Sequence, residues 1–412
     1  MAETKQGEQT RGYGYKDKGG NIEYGKITEA AVNALKARIG VERSSNLLDW
    51  EIEDRKFTAT RARRFAMSAG DYNPLYLDME YARKSPYGTI VVPPATIMGI
   101  EQTNAARDGM PGLHAWFRGT TIEWKKPLLI GDVLIGKTYL TDVRVVPSRT
   151  TDQAVIQEYE NKGFNRTGEH IASVYTSWHR AERETAKEKA VNQKMRGLAS
   201  YSPEDIKKIQ DDYANTKLRG SQKLFFEDVS VGDEIWPLIK GPTSPAQRSV
   251  GEGGGGGFAR GEPGEWSWSH KQVLTVLFER HPGLPFVNEW GIPEVPVVIH
   301  NSNERCQRYL GLPGAYDAGY QRINWSINML TNWGGDYSFL HKLSIRFPVF
   351  NVMGDTTWLY GKVNGKRQEG KLNVLEIEVW NQNQLGFKVT EGSAEIIVPS
   401  KANPDDVVWK NL

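Results

Sequence analysis

The 412-residue chain holds 52 basic and 50 acidic side chains, for a formal net charge of +2, and so lacks the basic excess that a nucleic-acid partner would want. Hydrophobic residues at 39% and charged residues at 25% describe an ordinary globular protein with length enough for two domains. The single cysteine, Cys306, excludes an intrachain disulfide and fits a reducing cytoplasm. No apolar run approaches the roughly 18 residues of a membrane span, and the polar first twenty residues lack a secretory core; the expected location is cytoplasmic.

Residues 1–25 read as a polar, Gly-rich tail, followed by an amphipathic helix over Ile27–Ile39. Phe65–Ser85 opens with a helical turn and tightens through Gly70-Asp71-Tyr72-Asn73-Pro74. It then runs into a helix with Leu77, Tyr81 and Ala82 inward and Asp78, Glu80, Arg83 and Lys84 mostly outward. Pro74 donates no N–H and restricts Asn73 to extended geometry, so this is a stiff loop that can fix a carboxylate and an amide beside a helix N-terminus. Pro93-Pro94 ends an extended run before a second, buried helix. Trp116–Val146 reads as strands with a Gly131-Asp132 turn, and a further strand pair turns at Asn165 and Gly168.

Residues 183–222 are rich in Lys, Glu, Asp and Gln, with a helix start at Ser202-Pro203-Glu204-Asp205, and read as a charged helical linker. Gly251–Gly264 is a flexible loop. Its five consecutive glycines do not make a phosphate-binding fingerprint without a preceding strand and a following helix.

The second half repeats the first. Thr121-Ile122-Glu123-Trp124, then Pro127 and Gly131-Asp132, matches Ser344-Ile345-Arg346-Phe347, then Pro348 and Gly354-Asp355. Asn165-x-x-Gly168 matches Asn383-x-x-Gly386. Two α+β units of one plan follow, each a buried helix and a long antiparallel sheet. The expected division is tail and helix 1–44, first unit 45–182, linker 183–222 and second unit 223–412.

The Gly-Asp-x-Asn-Pro stretch resembles the hydratase motif of MaoC-like proteins, the (R)-specific enoyl-CoA hydratases and dehydratases. Their pattern is roughly G-D-x-N-P-L-H, followed by a helix ending in Tyr-Ala and a small residue. Gly70, Asp71, Asn73, Pro74, Leu75, Tyr81, Ala82 and Ser85 fit; Tyr76 stands where the family has its catalytic histidine. The resemblance implies a double hot dog, in which each sheet wraps a central helix. It also implies hydration or dehydration of an α,β-unsaturated acyl-CoA by acid/base catalysis, with no cofactor beyond the CoA that the substrate carries. It further suggests a homo-oligomer, such as a homodimer.

The repeat sets Tyr76 against His300, which precedes a helix with Asn303, Glu304, Arg305 and Arg308 outward and Cys306, Tyr309 and Leu310 inward. Val295 and Val297 then fall opposite Asp71 and Asn73. The family's oxyanion-hole glycine corresponds to Pro94, which has no N–H, in the first half and to Gly319 in the second. Each half thus carries part of the set. The readings left open are an altered but active hydro-lyase (Asp71 with Tyr76, or His300 with Glu294 or Asp317 and with Gly319), a non-catalytic or partner-dependent acyl-CoA-binding subunit, and other thioester or lyase chemistry on the same scaffold.

The plainer readings stand beside these. Asp71 is a helix cap, Tyr76 a packed aromatic and His300 a histidine bonded to backbone. Asp132 and Asp355 are turn-formers, and Trp266, Trp268, Trp325 and Trp333 are core or groove walls. Arg322 meets a CoA phosphate or forms a salt bridge. The seven histidines show no metal-ligand spacing, no GxSxG elbow is present, and Cys306 reads as buried structure. No metal and no redox cofactor are expected.

Overall fold

The computed structural model describes residues 15–16, 22–23, 25–44, 56–100, 110, 112–148, 152–183, 197–244, 286–287, 290–291, 293–294 and 299–412. The glycine-rich loop 251–264, with Trp266 and Trp268, and residues 295 and 297 lie outside them. In chain order, a two-stranded ribbon, β1 (Tyr15–Lys16) and β2 (Ile22–Glu23), precedes α1 (Glu29–Lys36) and β3 (Glu42–Ser44). Helices α2 (Ala59–Ser68), α3 (Pro74–Leu77) and α4 (Met79–Arg83) follow, then a 3-10 segment Pro94–Ile100 and strands β4 (His114–Trp124), β5 (Ile135–Pro147), β6 (Gln153–Phe164) and β7 (His170–Ala181). Helix α5 (Pro203–Ala214) leads to β8 (Leu238–Lys240), to the short pair β9 (Phe286–Val287) and β10 (Pro293–Glu294), and to α6 (Asn303–Leu310) and α7 (Gly319–Gly334). Strands β11 (Phe339–Arg346), β12 (Thr357–Glu369), β13 (Leu372–Asn383) and β14 (Lys388–Ile397) complete the sheet.

Ten strands form one antiparallel sheet in the order β3-β5-β6-β7-β4-β11-β14-β13-β12-β8. The two halves join at β4 and β11, where Thr121 pairs with Ser344 and Ile122 with Leu343. Thr121 and Ser344 are the first residues of the two repeated segments. Because repeat mates face each other directly, the pseudo-twofold axis passes between them, and their hydroxyls share a hydrogen bond of 2.8 Å. This is the double hot-dog plan. Helix α7 is buried on every side, as a helix must be when a sheet curls round it. One apolar cluster runs across both halves, from Ile97, Ile100 and Trp124 to Ile323, Trp325, Trp333 and Ile377. The two tryptophans of α7 are therefore core.

Repeated turns close with repeated chemistry. Asp132 accepts from the Leu129 N–H and Asp355 from the Val352 N–H, both at 2.9 Å, with Gly131 at φ 94° and Gly354 at φ 97°. These aspartates are turn-formers, as expected. Asn165 and Asn383 each fold a side-chain oxygen back over the residues two and four positions on. Helix α6 buries Cys306, Tyr309 and Leu310 as its spacing predicts, and burial pushes the Cys306 thiol up to about 12. One expectation fails: the helix after Pro74 is two helices. Asp78 is extended (φ −119°, ψ 114°), and its carboxylate accepts from the N–H groups of Glu80 and Tyr81. Capping a new helix won over continuing the old one.

Candidate functional site

The Gly-Asp-Tyr-Asn-Pro loop is built as its residues dictate. Gly70 takes φ 62°, a left-handed conformation that suits glycine. Asp71, 3% exposed, accepts from the Asn73 N–H at 3.0 Å. Asn73, and not Asp71, caps α3, accepting from the Leu75 N–H at 3.0 Å. Burial raises the Asp71 carboxyl to about 6, although the Lys240 ammonium, the Asn73 N–H and the Asn328 amide all favour its charged form. Neither polar atom of the Asn328 side chain closes a full hydrogen bond. Lys240 reaches in from edge strand β8, 6% exposed, and its ammonium donates to the carbonyls of Ala69 and Gly70, each at 2.9 Å.

Tyr76 is 2% exposed and packs with Ala66, Leu75 and Val91. Burial first, and the Asp71 charge second, hold its hydroxyl well above the usual tyrosine range. The phenol is thereby held in its neutral, hydrogen-bonding form. Asn73 and Tyr76 line a cavity of only about 50 Å³, room for a water or two but not for an acyl chain. Pro94, at the first half's oxyanion position, instead turns its carbonyl to the Trp124 indole N–H, 3.1 Å away.

The other end of the molecule is open. A groove of about 1050 Å³ runs along β4, β7, β11 and β14 to Leu312, Pro313 and Tyr316, in the size range of sites for drug-sized ligands. His300 stands beside it. Its Nδ1 lies 2.7 Å from the Tyr316 carbonyl oxygen, and the two rings meet edge-on with centroids 4.4 Å apart. A carbonyl can only accept, so Nδ1 carries the proton and Nε2 is the basic nitrogen. The Tyr316 hydroxyl lies 3.2 Å from His114 Nε2. Burial first, then the charges of Arg183, His300, Arg180 and His179, hold His114 well below the usual histidine range, so it is neutral.

Gly319 begins α7. A Cβ there would lie 2.5 Å from the Phe117 ring and 3.0 Å from that of Phe347, and both rings line the groove. Asp317 and Arg322 take a different part from the one expected at the substrate. They pair with each other, Arg322 Nε 3.0 Å from Asp317 Oδ2, with side chains 4% and 0% exposed. Arg322 also donates to the carbonyls of Val349 and Val389. Asp317, raised by burial to about 6, accepts from the Asn351 amide. The backbone of Glu294 is described but not its side chain.

Asp71 and His300 are held by different groups. Asp71 answers to Lys240 and Asn328, whereas His300 answers to Tyr316 and His114. Three residues missed by sequence reasoning matter here. Lys240 ends an apolar strand, Asn328 sits on a helix buried all round, and His114 opens a strand. A polar residue inside a buried element was the available signal, but it does not say which partner it meets. Among the described residues no group of His, Cys, Asp and Glu could hold a metal ion, and no helix is long and apolar enough to cross a membrane.

The two buried aspartates make a prediction about pH. Folded values near 6 against ordinary values of 3.8 mean that the native state binds more protons than the unfolded chain between those limits. Stability should therefore fall as pH rises from about 4 to about 6, by roughly 3 kcal/mol at most for each group. Asp71→Asn should flatten its share of that fall. Urea unfolding at pH 4.5 and pH 7.5 tests this, and an identical pH-dependent loss in parent and variant would refute it.

Residues 49–174 match the family model for the FAS1-like dehydratase domain region. No curated protein sequence matches the chain. Among solved structures it is similar to a MaoC-like dehydratase, at 15% identity and a TM-score of 0.59 over 89% of this chain and 100% of that one. It is also similar to a MaoC domain protein, assigned as a dehydratase, from Chloroflexus aurantiacus J-10-fl, at 12% identity and a TM-score of 0.51 over 88% and 94%. A double-hotdog protein from Mycobacterium tuberculosis matches at 10% identity and a TM-score of 0.48 over 83% and 92%. The fold is that of MaoC-like dehydratases, and the family-model match falls in its first half.

Proposed function

We propose that this chain, built on the MaoC-like dehydratase fold, is a hydro-lyase that adds water to, or removes it from, an α,β-unsaturated acyl-CoA, with its reacting centre at His300. The observation that carries this reading is the groove ending at Tyr316, whose carbonyl fixes the His300 tautomer. In the hydration direction, His300 Nε2 takes a proton from water as the oxygen bonds to the β-carbon. The same nitrogen returns a proton to the α-carbon as the enolate collapses, so the double bond gains one H and one OH. The Gln321 N–H is spent on the Ala318 carbonyl, and the Gly319 N–H, at the positive end of α7, is the donor for the thioester oxygen, where negative charge develops. Asp71, Asn73 and Tyr76 serve as the structural counterpart of this site in the other half. The acting unit is expected to be a cytoplasmic homo-oligomer that needs no cofactor.

A second reading, acyl-CoA binding without turnover, is favoured by one observation: Asp317, the carboxylate nearest Gly319 in sequence, is committed to Arg322. Assays with a panel of trans-2-enoyl-CoA esters separate the two. His300→Ala should lower kcat by roughly 10² to 10⁴ with little change in KM, while Asp71→Asn should leave kcat within a few-fold. Undiminished turnover in His300→Ala would remove this site. Saturable ester binding with no turnover in the parent protein would favour the second reading.

A further inference from the structure

Hydration at His300 leaves one requirement unmet. Water has two hydrogens, and the imidazole takes one of them through Nε2. The other needs an acceptor if the water is to keep one orientation toward the β-carbon. Of the described carboxylates, Glu158 and Glu391 in the groove wall are paired with Arg144 at 2.9 Å and Arg346 at 2.8 Å, and Asp317 is paired with Arg322 at 3.0 Å. The Trp116 indole, also in the wall, can only donate.

Tyr316 lines the groove and meets both imidazoles, His300 through its carbonyl at 2.7 Å and His114 through its hydroxyl at 3.2 Å. Its ring packs edge-on against His300 at 4.4 Å and tilted against Phe350 at 4.8 Å, and its backbone is bridged to Val352. At 6% exposed, the phenol has little freedom to turn away. His114, 3% exposed, sits edge-on to Trp116 at 4.9 Å. Burial first, and then the basic groups Arg183, His300, Arg180 and His179, keep its ring neutral. A neutral imidazole has one bare nitrogen; with Nε2 bare it accepts the phenol proton and leaves the phenol oxygen to accept from the groove.

We infer that Tyr316 is a catalytic residue of the hydration, its hydroxyl donating to His114 and accepting the second hydrogen of the attacking water, with His114 as the positioning residue behind it. This rests on the hydro-lyase reading and adds a residue to it. No proton passes through the phenol. His300 Nε2 takes one hydrogen from water as the oxygen bonds to the β-carbon. The other stays on that oxygen as the hydroxyl hydrogen of the product, still held by the phenol oxygen. In the dehydration direction the same contact orients the leaving hydroxyl while His300 protonates it.

Tyr316→Phe separates the hydroxyl from the carbonyl, because the main chain that fixes His300 is unchanged. In the full chain, with whichever trans-2-enoyl-CoA the parent hydrates fastest, kcat should fall roughly 10- to 100-fold, the worth of one hydrogen bond to a group that becomes charged, while KM stays within about 3-fold. His114→Phe, which keeps a ring against Trp116, should reproduce that loss. His114→Gln, whose amide oxygen can take the phenol proton, should recover most of it. The double variant Tyr316→Phe, His114→Phe should be no slower than Tyr316→Phe alone, since both act through one hydrogen bond. Nitrogen-15 shifts of ring-labelled histidine, with the His114 signals assigned by their loss in His114→Gln, should show Nδ1 protonated. A protonated Nε2 there, a kcat for Tyr316→Phe within about 2-fold of the parent, or a His114→Phe as fast as the parent overturns the inference and leaves the hydro-lyase reading standing. If the parent hydrates no ester of the panel, the hydro-lyase reading falls and the inference falls with it. Should Tyr316→Phe misfold, the two His114 variants and the tautomer decide.

Discussion

Arg322→Leu should cost about 3–5 kcal/mol of stability, the usual consequence of removing one partner from a buried ion pair. Asp317 would be left fully buried with only the Asn351 amide, 3.2 Å away, as a strong partner. The carbonyls of Val349 and Val389 would lose their donor. The guanidinium also lies over the Phe347 ring, 4.4 Å from its centroid, and leucine replaces that contact only in part. The carboxyl would answer by holding its proton to higher pH than the present value of about 6, which limits the loss at low pH. The variant should therefore be least destabilised near pH 5 and most destabilised near pH 8. Adding Asp317→Asn should recover part of the loss, because the uncompensated charge goes with it. Urea unfolding of both single variants and the double variant measures all of this. A loss below about 1 kcal/mol in Arg322→Leu, with weakened CoA binding, would mean that the arginine serves a phosphate after all.

What the sequence revealed of the fold and what it hid have separate physical causes. Turns are local: Gly131-Asp132, Gly354-Asp355, Asn165 and Asn383 close on neighbours a few residues away, so composition and spacing suffice to read them. The repeat is nearly as legible, because Thr121 and Ser344 head equivalent strands, and their pairing across the pseudo-twofold axis follows from that equivalence. Helix α6 showed its buried face in its spacing. Asp78 was misread because an acidic residue on an outward face looks the same whether it continues a helix or caps the next.

The candidate site was harder, since its decisive relations are tertiary. Repeat alignment places Tyr76 opposite His300, yet it cannot say that one lines a cavity of about 50 Å³ and the other adjoins a groove of about 1050 Å³. Nor does Arg322 announce its partner. Its sequence neighbour five positions back, Asp317, is within reach only because the chain turns into α7 between them.

Lys240→Met should destabilise the protein by roughly 3 kcal/mol above pH 6, because Lys240 does three things at once for the motif loop. It satisfies the carbonyls of Ala69 and Gly70, supplies the nearest opposing charge to Asp71, and ties β8 of the second half to a loop of the first. The buried Ala69 carbonyl left without a donor costs about 1–3 kcal/mol and the part-buried Gly70 carbonyl less, and methionine fills the volume without replacing the N–H groups. The carboxylate then loses the interaction that most favours its charged form, so its titration should move above its present value of about 6. Protonation would relieve part of the strain, which makes the loss pH-dependent and smallest below about pH 5. Asp71→Asn alone removes a charge that is costly above pH 6 and should be nearly neutral there. Combined with Lys240→Met it should give a double variant more stable than the sum of the single changes predicts, with a coupling of about 1–3 kcal/mol. Additive effects within about 0.5 kcal/mol would break the link between lysine and carboxylate and leave only the carbonyl contacts. If the coupling is found while the parent and Asp71→Asn hydrate enoyl esters at the same rate, the Gly-Asp-x-Asn-Pro loop holds the halves together, and the chemistry belongs to the end that carries His300.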